Sequence, residues 1–213
     1  MTDRKVSEKT IRRLSHYARC LRHARNKGIK IVTSEYLAKK CGISSAAVRK
    51  DLAVFGEFGK QGSGYNVLGL LMNIEKILGT GKPLHVIVIG AGNIGHALLE
   101  SGLEGTGGYH YTAIFDSDPE KQGKICAGTA VQPMAELRDT ISELGDIIAV
   151  IAVPDNEGQK CVDQLVEAGC NAILSFVLEP LDVPEGVKLR YMEISTELDI
   201  LTHSLMRTGR IGR

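Results

Sequence analysis

The stretch LHVIVIGAGNIG, residues Leu84–Gly95, decides the fold of this chain. Five of its first six residues are apolar, which is typical of a strand buried on both faces. The G-x-G-x-x-G turn that follows predicts a tight bend, backbone approach to a pyrophosphate and close packing of a helix that starts near Asn93. The N-terminus of that helix favours the anion. The predicted phosphate-binding residues are Gly90, Ala91, Gly92, Asn93, Ile94 and Gly95.

A carboxylate follows at the distance that a dinucleotide site requires. The apolar run Tyr111–Phe115 ends in Asp116, 21 residues after Gly95. In dinucleotide-binding domains an acid at about this separation (~20 residues) accepts hydrogen bonds from the ribose hydroxyls of NAD(H). Asp116 therefore predicts NAD(H) as the cofactor, and the alternative is a glycine turn in an α/β domain that binds no ligand.

Strands and helices alternate through the rest of the second half of the chain. The expected elements are a helix over Pro133–Glu143, a strand over Ile147–Val153, a helix over Glu157–Ala168, a strand over Ala172–Phe176 and a strand over Lys188–Tyr191. This order predicts a Rossmann-type, doubly wound parallel sheet. Ligands bind at the carboxyl ends of such strands, so Val153, Pro154 and the Ser175-Phe176 turn are expected to line the pocket.

The net charge of +1 conceals a strong asymmetry along the 213 residues. Residues 1–82 hold 17 Lys and Arg against 6 Asp and Glu, whereas residues 83–213 hold 9 against 19. A basic front half suits a polyanion and an acidic back half suits a small ligand. We expect a DNA-binding domain over 1–82, a Rossmann domain over 83–191 and a C-terminal dimerisation helix within 192–213.

Helix signals in the front half follow a helix-turn-helix pattern. The expected elements are a helix from a Ser7 cap to Gly28, a short helix capped by Thr33 or Ser34, a break at Gly42, a helix from a Ser44 cap to about Phe55, and a helix over Val67–Leu78. Small and apolar residues fall where two such helices touch. The glycine-rich segment 59–65 then predicts the wing of a winged helix.

Hydroxyl groups, long cations and the wing supply the expected DNA contacts, because they suit base edges and phosphates. The predicted contacts are Ser44, Ser45, Arg49, Lys50, Lys60, Gly62, Ser63, Gly64 and Tyr65. The alternative is a basic helical dimerisation module that does not bind DNA.

Cysteine usage and hydropathy bound the location of the protein. The five cysteines form no C-x-x-C motif, which favours reduced thiols over a disulfide framework or a metal site. The sequence has no signal peptide and no apolar run of 18 residues, so we expect a cytoplasmic protein without a membrane partner.

An amphipathic helix over Thr196–Arg207 must bury its apolar face on its own domain or on a partner subunit.

The chain resembles the Rex family of redox-sensing transcriptional repressors over nearly its whole length. The segments that carry the resemblance are VRKDLAVFGEFGKQGSGYNV (48–67), GAGNIG (90–95), IFDSDPEK (114–121) and EISTELDIL (193–201). The resemblance implies a homodimer that exchanges its terminal helix between subunits. It also implies a repressor that binds double-stranded operator DNA when NADH is scarce and releases it when NADH binds.

The resemblance also assigns roles to particular residues. Arg49 and Lys50 match the cations of the family's recognition helix, residues 62–65 match its wing, and the glycines of the turn together with Asp116 match its NAD site. Arg19 and Glu193 fall where the family has an Arg and an acid that couple the two domains.

Three positions depart from the family pattern. Glu193 stands where Asp is usual, Gly102 where a Tyr often takes part in the switch, and Ser175 where Asn commonly precedes the Phe. We expect cofactor binding to survive the last two departures, while the strength of the NADH response depends on them.

Other functions fit the sequence less well. An NAD-dependent dehydrogenase needs a general acid or base beside the nicotinamide, and none of His85, His96, His110 or His203 lies on a strand-end loop beside a carboxylate. A coenzyme A-binding regulator shares the fold, but Asp116 would meet the 3′-phosphate of that ligand. We therefore predict that the chain is not an enzyme.

Overall fold

A computed structural model describes residues 6–56, 58, 63–101 and 107–207 of the chain. The chain divides into two compact units, Met1–Lys82 and Pro83–Arg213. Among the described residues, no helix has both the length and the apolar character that a membrane span requires.

The first unit is a small helical domain with a two-stranded ribbon. Its described elements are α1 (Glu8–Asn26), β1 (Ile31–Val32), α2 (Ser34–Cys41), α3 (Ser45–Ala53), β2 (Tyr65–Asn66) and α4 (Val67–Leu78). Three hydroxyl caps fix the helix starts: Ser7, Thr33 and Ser44 each accept a hydrogen bond from a backbone N–H in the first turn. These caps and the bounds of α4 confirm the sequence prediction, whereas α3 ends two residues before the expected Phe55.

Helix α1 supplies the centre of the first core. Leu14, Tyr17 and Leu21, at spacings of three and four residues, are fully buried against α2, α3 and α4. Strand β1 pairs antiparallel with β2, with Val32 opposite Tyr65. This ribbon closes the winged-helix fold and places the start of α4 directly after the wing.

The second unit is built on a sheet of seven described strands. The strands are β3 (Leu84–Ile89), β4 (Tyr109–Asp116), β5 (Ile125–Cys126), β6 (Thr129–Pro133), β7 (Ile147–Ile151), β8 (Ala172–Ser175) and β9 (Lys188–Tyr191), in the order β5-β6-β4-β3-β7-β8-β9. The β5–β6 pair is antiparallel and the remaining pairs are parallel. The expected Rossmann-type sheet is confirmed.

Helices connect these strands. The described helices of this unit are α5 (Asn93–Glu100), α6 (Leu137–Leu144), α7 (Gly158–Glu167) and α8 (Ile194–Arg207). Strand β3 is buried on both faces, as predicted: Ile87 and Ile89 face a core with α6 and α7, while Val86 and Val88 face a second cluster. Leu98 and Leu99 of α5 pack on that second cluster.

The structure corrects three expectations about this unit. Pro133 is the last residue of β6, and a single 3-10 turn over Met134–Glu136 precedes α6, so no helix begins at Pro133. The expected element order did not include β5, which has only two residues, or β6, which ends at the proline that was expected to begin a helix. Strands β7 and β8 end at Ile151 and Ser175, so Val153, Pro154 and Phe176 lie just beyond the strand ends.

Candidate functional site

The glycine turn between β3 and α5 is shaped by two close backbone approaches. Gly90 has a φ of 107°, and a side chain there would collide with the carbonyl of Ala152. A side chain at Gly95 would collide with the carbonyl oxygen of Gly90. Only glycine permits this turn and brings the first turn of α5 against the end of β3.

Gly92 plays a different part in the same turn. It is the N-cap of α5 and supplies no side-chain cap for the first-turn amides. A Cβ at Gly92 would have no atom within 4 Å, so open space faces this position. The amides at the start of α5 therefore remain available to an anion.

Asp116, the last residue of β4, sits directly beside the glycine turn. It is 7% exposed. Its Oδ2 accepts from the backbone N–H of Ala91 at 2.8 Å and from Lys121 Nζ at 2.9 Å, and its Oδ1 accepts from the N–H of Asp118 at 2.9 Å. Burial acts to raise the pKa of Asp116, but these hydrogen bonds outweigh it and hold the pKa below its ordinary value. The carboxylate is charged at neutral pH.

A cavity of about 590 Å³ joins these groups at the carboxyl ends of the strands. Its volume lies in the range of cofactor sites, about 300–1,000 Å³. Of the residues that the sequence predicts for the cofactor, the cavity is lined by Gly90, Gly92, Asp116, Val153 and Pro154. Residues that the sequence reasoning did not include also line it, among them Lys121, Gln122, Met134, Lys160 and Gln164.

Phe176 does not line this cavity. It packs on the opposite face of the sheet, with the cluster of Val86, Val88 and Val150. Ser175, just before it, is fully buried, and its Oγ accepts from the N–H of Val177 at 3.0 Å. Side chains alternate between the faces of an extended chain, so neighbouring residues at the end of β8 point to opposite sides of the sheet.

The remaining residues predicted for the cofactor lie in the glycine turn and the first turn of α5, and they do not line the cavity. Ala91 is buried and its amide is taken by Asp116. Asn93 and Ile94 open α5 and are exposed, while Gly95 is buried against Gly90. They shape the turn and are not among the lining residues.

On α3, the helix predicted to contact DNA, an arginine contacts the start of α2. The Nη1 of Arg49 donates to Ser34 Oγ at 3.0 Å and to Glu35 Oε1 at 3.3 Å, both in the first turn of α2. Lys50 is exposed beside it. Ser44 is exposed and its hydroxyl accepts from the N–H of Ala47 at 3.2 Å, so this hydroxyl caps the helix.

A buried ion pair behind α3 was missed by the sequence reasoning. Asp51 is 5% exposed and accepts from Arg13 on α1, at 2.5 Å from Nε and 2.6 Å from Nη2. The hydroxyl of Tyr17 donates to the same carboxylate at 2.8 Å. Burial acts to raise the pKa of Asp51, but the hydrogen bonds from Arg13 and Tyr17 dominate and lower it. One signal in the sequence could have indicated this pair. Asp51 follows the buried Val48 by three residues, so the two side chains lie on the same, inward face of α3.

The wing is described in part. Ser63 is exposed, Gly64 has a φ of 72° with its Cα against the carbonyl of Val32, and Tyr65 is half-buried. Lys60 and Gly62 lie outside the described residues. Ser45 is half-buried at the start of α3.

The predicted coupling residues belong to different units. Arg19 is exposed on α1 of the first unit. Glu193 is exposed in the second unit, and its Oε2 accepts from the hydroxyl of Thr196 at 2.7 Å at the start of α8. Their coupling stays a prediction, and Gly102 lies outside the described residues.

These two units define a class of protein, a winged helix-turn-helix domain joined to a Rossmann-type nucleotide-binding domain. Residues 5–53 match a family model described as putative DNA-binding protein N-terminus, and residues 81–178 match one described as CoA binding domain. A redox-sensing transcriptional repressor Rex of Desulforamulus reducens is 42% identical over 201 residues, or 94% of this chain and 96% of that protein. A Rex repressor of Roseiflexus sp. is 42% identical over 197 residues, or 92% and 90%.

The chain belongs to the Rex family of redox-sensing transcriptional repressors. Its relatives are named as repressors, and the chain is a regulator and not an enzyme. Two solved structures of RSP, a Rex-family repressor, resemble this chain. The complex with β-NAD+ and operator DNA is 34% identical with a TM-score of 0.86, covering 97% of this chain and 95% of RSP. The complex with β-NADH is 32% identical with a TM-score of 0.84, covering 97% of each chain.

Replacing Asp51 by Asn removes the charge that holds Arg13 and Tyr17. We expect Asp51→Asn to lower the free energy of unfolding by about 2–3 kcal/mol at pH 7, because the arginine keeps its charge without a charged partner. Since the folded-state pKa of Asp51 is lowered, its contribution is present above the unfolded pKa, near ~3.9, and is lost as the pH falls through the folded value. Urea unfolding of both proteins at pH 7 and in acid measures this.

Arg12→Gln is the control for Asp51→Asn, because the Arg12–Glu8 pair on α1 is well exposed. An exposed pair contributes about 0–1 kcal/mol. Equal losses from the two substitutions would contradict the role of the buried pair.

Proposed function

We propose that this protein is a transcriptional repressor that senses the NADH/NAD+ balance. It binds double-stranded operator DNA when NADH is low and releases it when NADH binds. The observation that carries the proposal is the cavity that joins the glycine turn to the charged Asp116 in the same chain as a helix-turn-helix. RSP, which shares the fold over 97% of this chain, was crystallised with NADH, with NAD+ and with operator DNA.

The cavity fits NAD(H) on two counts. Open space at Gly92 admits the pyrophosphate to the first turn of α5, whose amides favour an anion. The Asp116 carboxylate lies at the end of the neighbouring strand, where ribose hydroxyls donate. Bound NAD(H) supplies the redox signal, while Val153 and Pro154 close the side of the cavity at β7.

DNA binding falls to the exposed face of α3 and to the wing. Ser34 and Glu35 hold the Arg49 guanidinium in one direction, which prepares its planar fork for the edge of a guanine. Adjacent helical residues point about 100° apart, so Lys50 reaches a phosphate instead. The resemblance over 48–67 extends the proposed interface to the wing, at Lys60, Gly62, Ser63, Gly64 and Tyr65. The hydroxyl groups of Ser44 and Ser45, at the start of α3, complete it.

The exposed terminal helix supports a homodimer. None of residues 194–207, all of which the structure describes, is buried, and Leu198, Leu201 and Leu205 form an exposed apolar face. The sheet carries an apolar groove of about 400 Å³, lined in part by Val86, Tyr111, Ile148 and Leu174. We propose that α8 of one subunit buries its apolar face in this groove of the other, as in the exchange that the family resemblance implies.

The proposed domain limits follow from this arrangement. They are 1–82 for the winged helix, 83–191 for the NAD(H)-binding domain and 192–213 for the dimerisation segment. We place the protein in the cytoplasm, where the DNA that it regulates is found.

Coenzyme A is the competing ligand, because residues 81–178 match a CoA binding domain model. The pKa of Asp116 is held below its ordinary value, so this carboxylate is charged and, although Lys121 partly offsets it, disfavours the 3′-phosphate of coenzyme A nearby. The charge of Asp116 favours NAD(H).

The first test is cofactor choice. We expect NADPH to bind at least ~10-fold more weakly than NADH, about 1.4 kcal/mol, because Asp116 repels a 2′-phosphate. Lys121, paired with Asp116, limits the difference. Calorimetry with NADH, NADPH and coenzyme A measures it, and Asp116→Asn should narrow the gap between NADH and NADPH. Equal affinities in the wild type, or tighter binding of coenzyme A, would overturn the assignment of Asp116.

The second test separates the two cations of α3 on a DNA duplex that the wild-type protein selects from a random pool without NADH. Arg49→Ala should weaken the free energy of binding to this duplex by ~1–3 kcal/mol and relax specificity at one base pair. Lys50→Ala should weaken all sequences alike and lower the salt slope by about one. Lys76→Ala, on α4, is the matched control and should change neither the affinity for DNA nor its salt dependence. Unchanged affinity in both α3 variants would exclude α3 as the reading helix.

The third test is antagonism between the two ligands. If NADH weakens binding of the selected duplex ~100-fold, the coupling is about 2.7 kcal/mol, and reciprocity requires DNA to weaken NADH binding by the same factor. NADH fluorescence titration with and without the duplex at one salt concentration measures this. Arg19→Ala and Glu193→Gln should each reduce the coupling more than either intrinsic affinity. If NADH binds with the same affinity with and without the duplex, the chain is not a redox switch.

A further inference from the structure

Two of the five cysteines lie side by side in the DNA-binding unit. Cys20 is on α1 and Cys41 is the last residue of α2, and their Sγ atoms are 3.8 Å apart. Both residues are half-buried, whereas Cys126, Cys161 and Cys170 are buried in the second unit. This pair therefore combines proximity with access from solvent.

The two Sγ atoms are in non-bonded contact in the reduced protein. A sulfur–sulfur bond is about 2.05 Å long, so the two Sγ atoms must approach by just under ~2 Å. The residues are 21 positions apart and sit on two helices that pack against each other. Bond formation therefore requires the end of α2 to move relative to α1 or the two side chains to rotate.

We propose that Cys20 and Cys41 form a reversible disulfide when the protein meets a peroxide, and that this bond lowers its affinity for operator DNA. The repressor then has a second redox input, independent of the nicotinamide. The effect on DNA rests on the proposed function, whereas the disulfide itself does not.

The chemistry assigns different roles to the two sulfurs. Burial, together with the neighbouring Cys20, raises the pKa of Cys41 to about 11, so Cys41 is a protonated thiol at neutral pH. The attack on the peroxide needs a thiolate, and we assign that step to Cys20 and the second step to Cys41. The sulfur of Cys20 bonds to one oxygen, the O–O bond breaks, and hydroxide leaves as Cys20 becomes a sulfenic acid.

The second step closes the bond. The sulfur of Cys41 attacks the sulfenic sulfur of Cys20, the S–O bond breaks and water leaves with the thiol proton. Two thiols lose two electrons in total, and one hydrogen peroxide is reduced to two waters once the hydroxide is protonated. A dithiol reductant reverses the change.

The position of Cys41 connects this bond to DNA binding. Gly42 follows it in the left-handed conformation, with a φ of 66°, and Ser44 then caps α3. A bond that draws the end of α2 towards α1 moves this turn and with it the start of the recognition helix. Helix-turn-helix recognition depends on that placement.

The first experiment counts thiols in the full-length protein. Reduced wild type should titrate five thiols under denaturing conditions, and protein treated with a small excess of hydrogen peroxide should titrate three. A non-reducing peptide map should join the peptides of Cys20 and Cys41. Cys20→Ser and Cys41→Ser should each form no intramolecular disulfide, while Cys126→Ala, the matched control from the buried set, should lose two thiols like the wild type.

The second experiment measures DNA affinity on the selected duplex at fixed salt without NADH. Oxidation should weaken binding at least ~10-fold, dithiothreitol should restore it, and Cys41→Ser should be insensitive to peroxide. NADH affinity should change less than twofold on oxidation.

Two results would overturn the proposal. Five thiols after peroxide, or a disulfide mapped to another pair or between subunits, would exclude the Cys20–Cys41 bond. An intact Cys20–Cys41 bond with unchanged DNA affinity would exclude the regulatory effect. If the reduced protein selects no duplex, the proposed function fails, while the thiol count still decides the disulfide.

Discussion

The close approach of Gly90 and Gly95 is the constraint on which the nucleotide-binding unit depends. The Cα of Gly95 lies against the carbonyl of Gly90, and Gly90 itself lies against the carbonyl of Ala152 beyond β7. Any side chain at either position would push α5 away from the end of β3 or separate β3 from the chain after β7. The same contact places the start of α5 beside the cavity, so one packing constraint fixes both the fold and the candidate anion site.

Asp116 converts this general turn into a more specific site. Its carboxylate accepts hydrogen bonds from the backbone N–H groups of Ala91 and Asp118, and it forms an ion pair with Lys121. A carboxylate that is already satisfied by two amides and an ammonium is held in place before a ligand arrives, which reduces the entropy lost on binding. Lys121 also lies 2.9 Å from the carboxylate, so its positive charge partly offsets the negative charge of Asp116.

In the first unit, a buried ion pair holds α3 in position. Asp51 faces inward from α3 to Arg13 and Tyr17, while Arg49 and Lys50 face outward. Charge-assisted hydrogen bonds thus hold α3 on its inner side, and its outer face carries the two cations. The reduced Cys20–Cys41 contact lies on a second connection between α1 and the helix-turn-helix, so the position of α3 depends on α1 at two places.

Local pattern alone determined much of this protein. The strand–turn–helix at 84–95, the carboxylate at 116, the helix caps and the charge asymmetry are properties of short spacings, which a linear sequence displays directly. The tertiary structure decided what depends on distant partners: Arg13 meets Asp51 across 38 residues, and Cys20 meets Cys41 across 21. It also sent Phe176 to the opposite face of the sheet from the cavity, because a strand that ends at Ser175 leaves the next side chain on the other side. Contacts of this kind arise from how the elements pack, and the periodicity of a single element does not encode them.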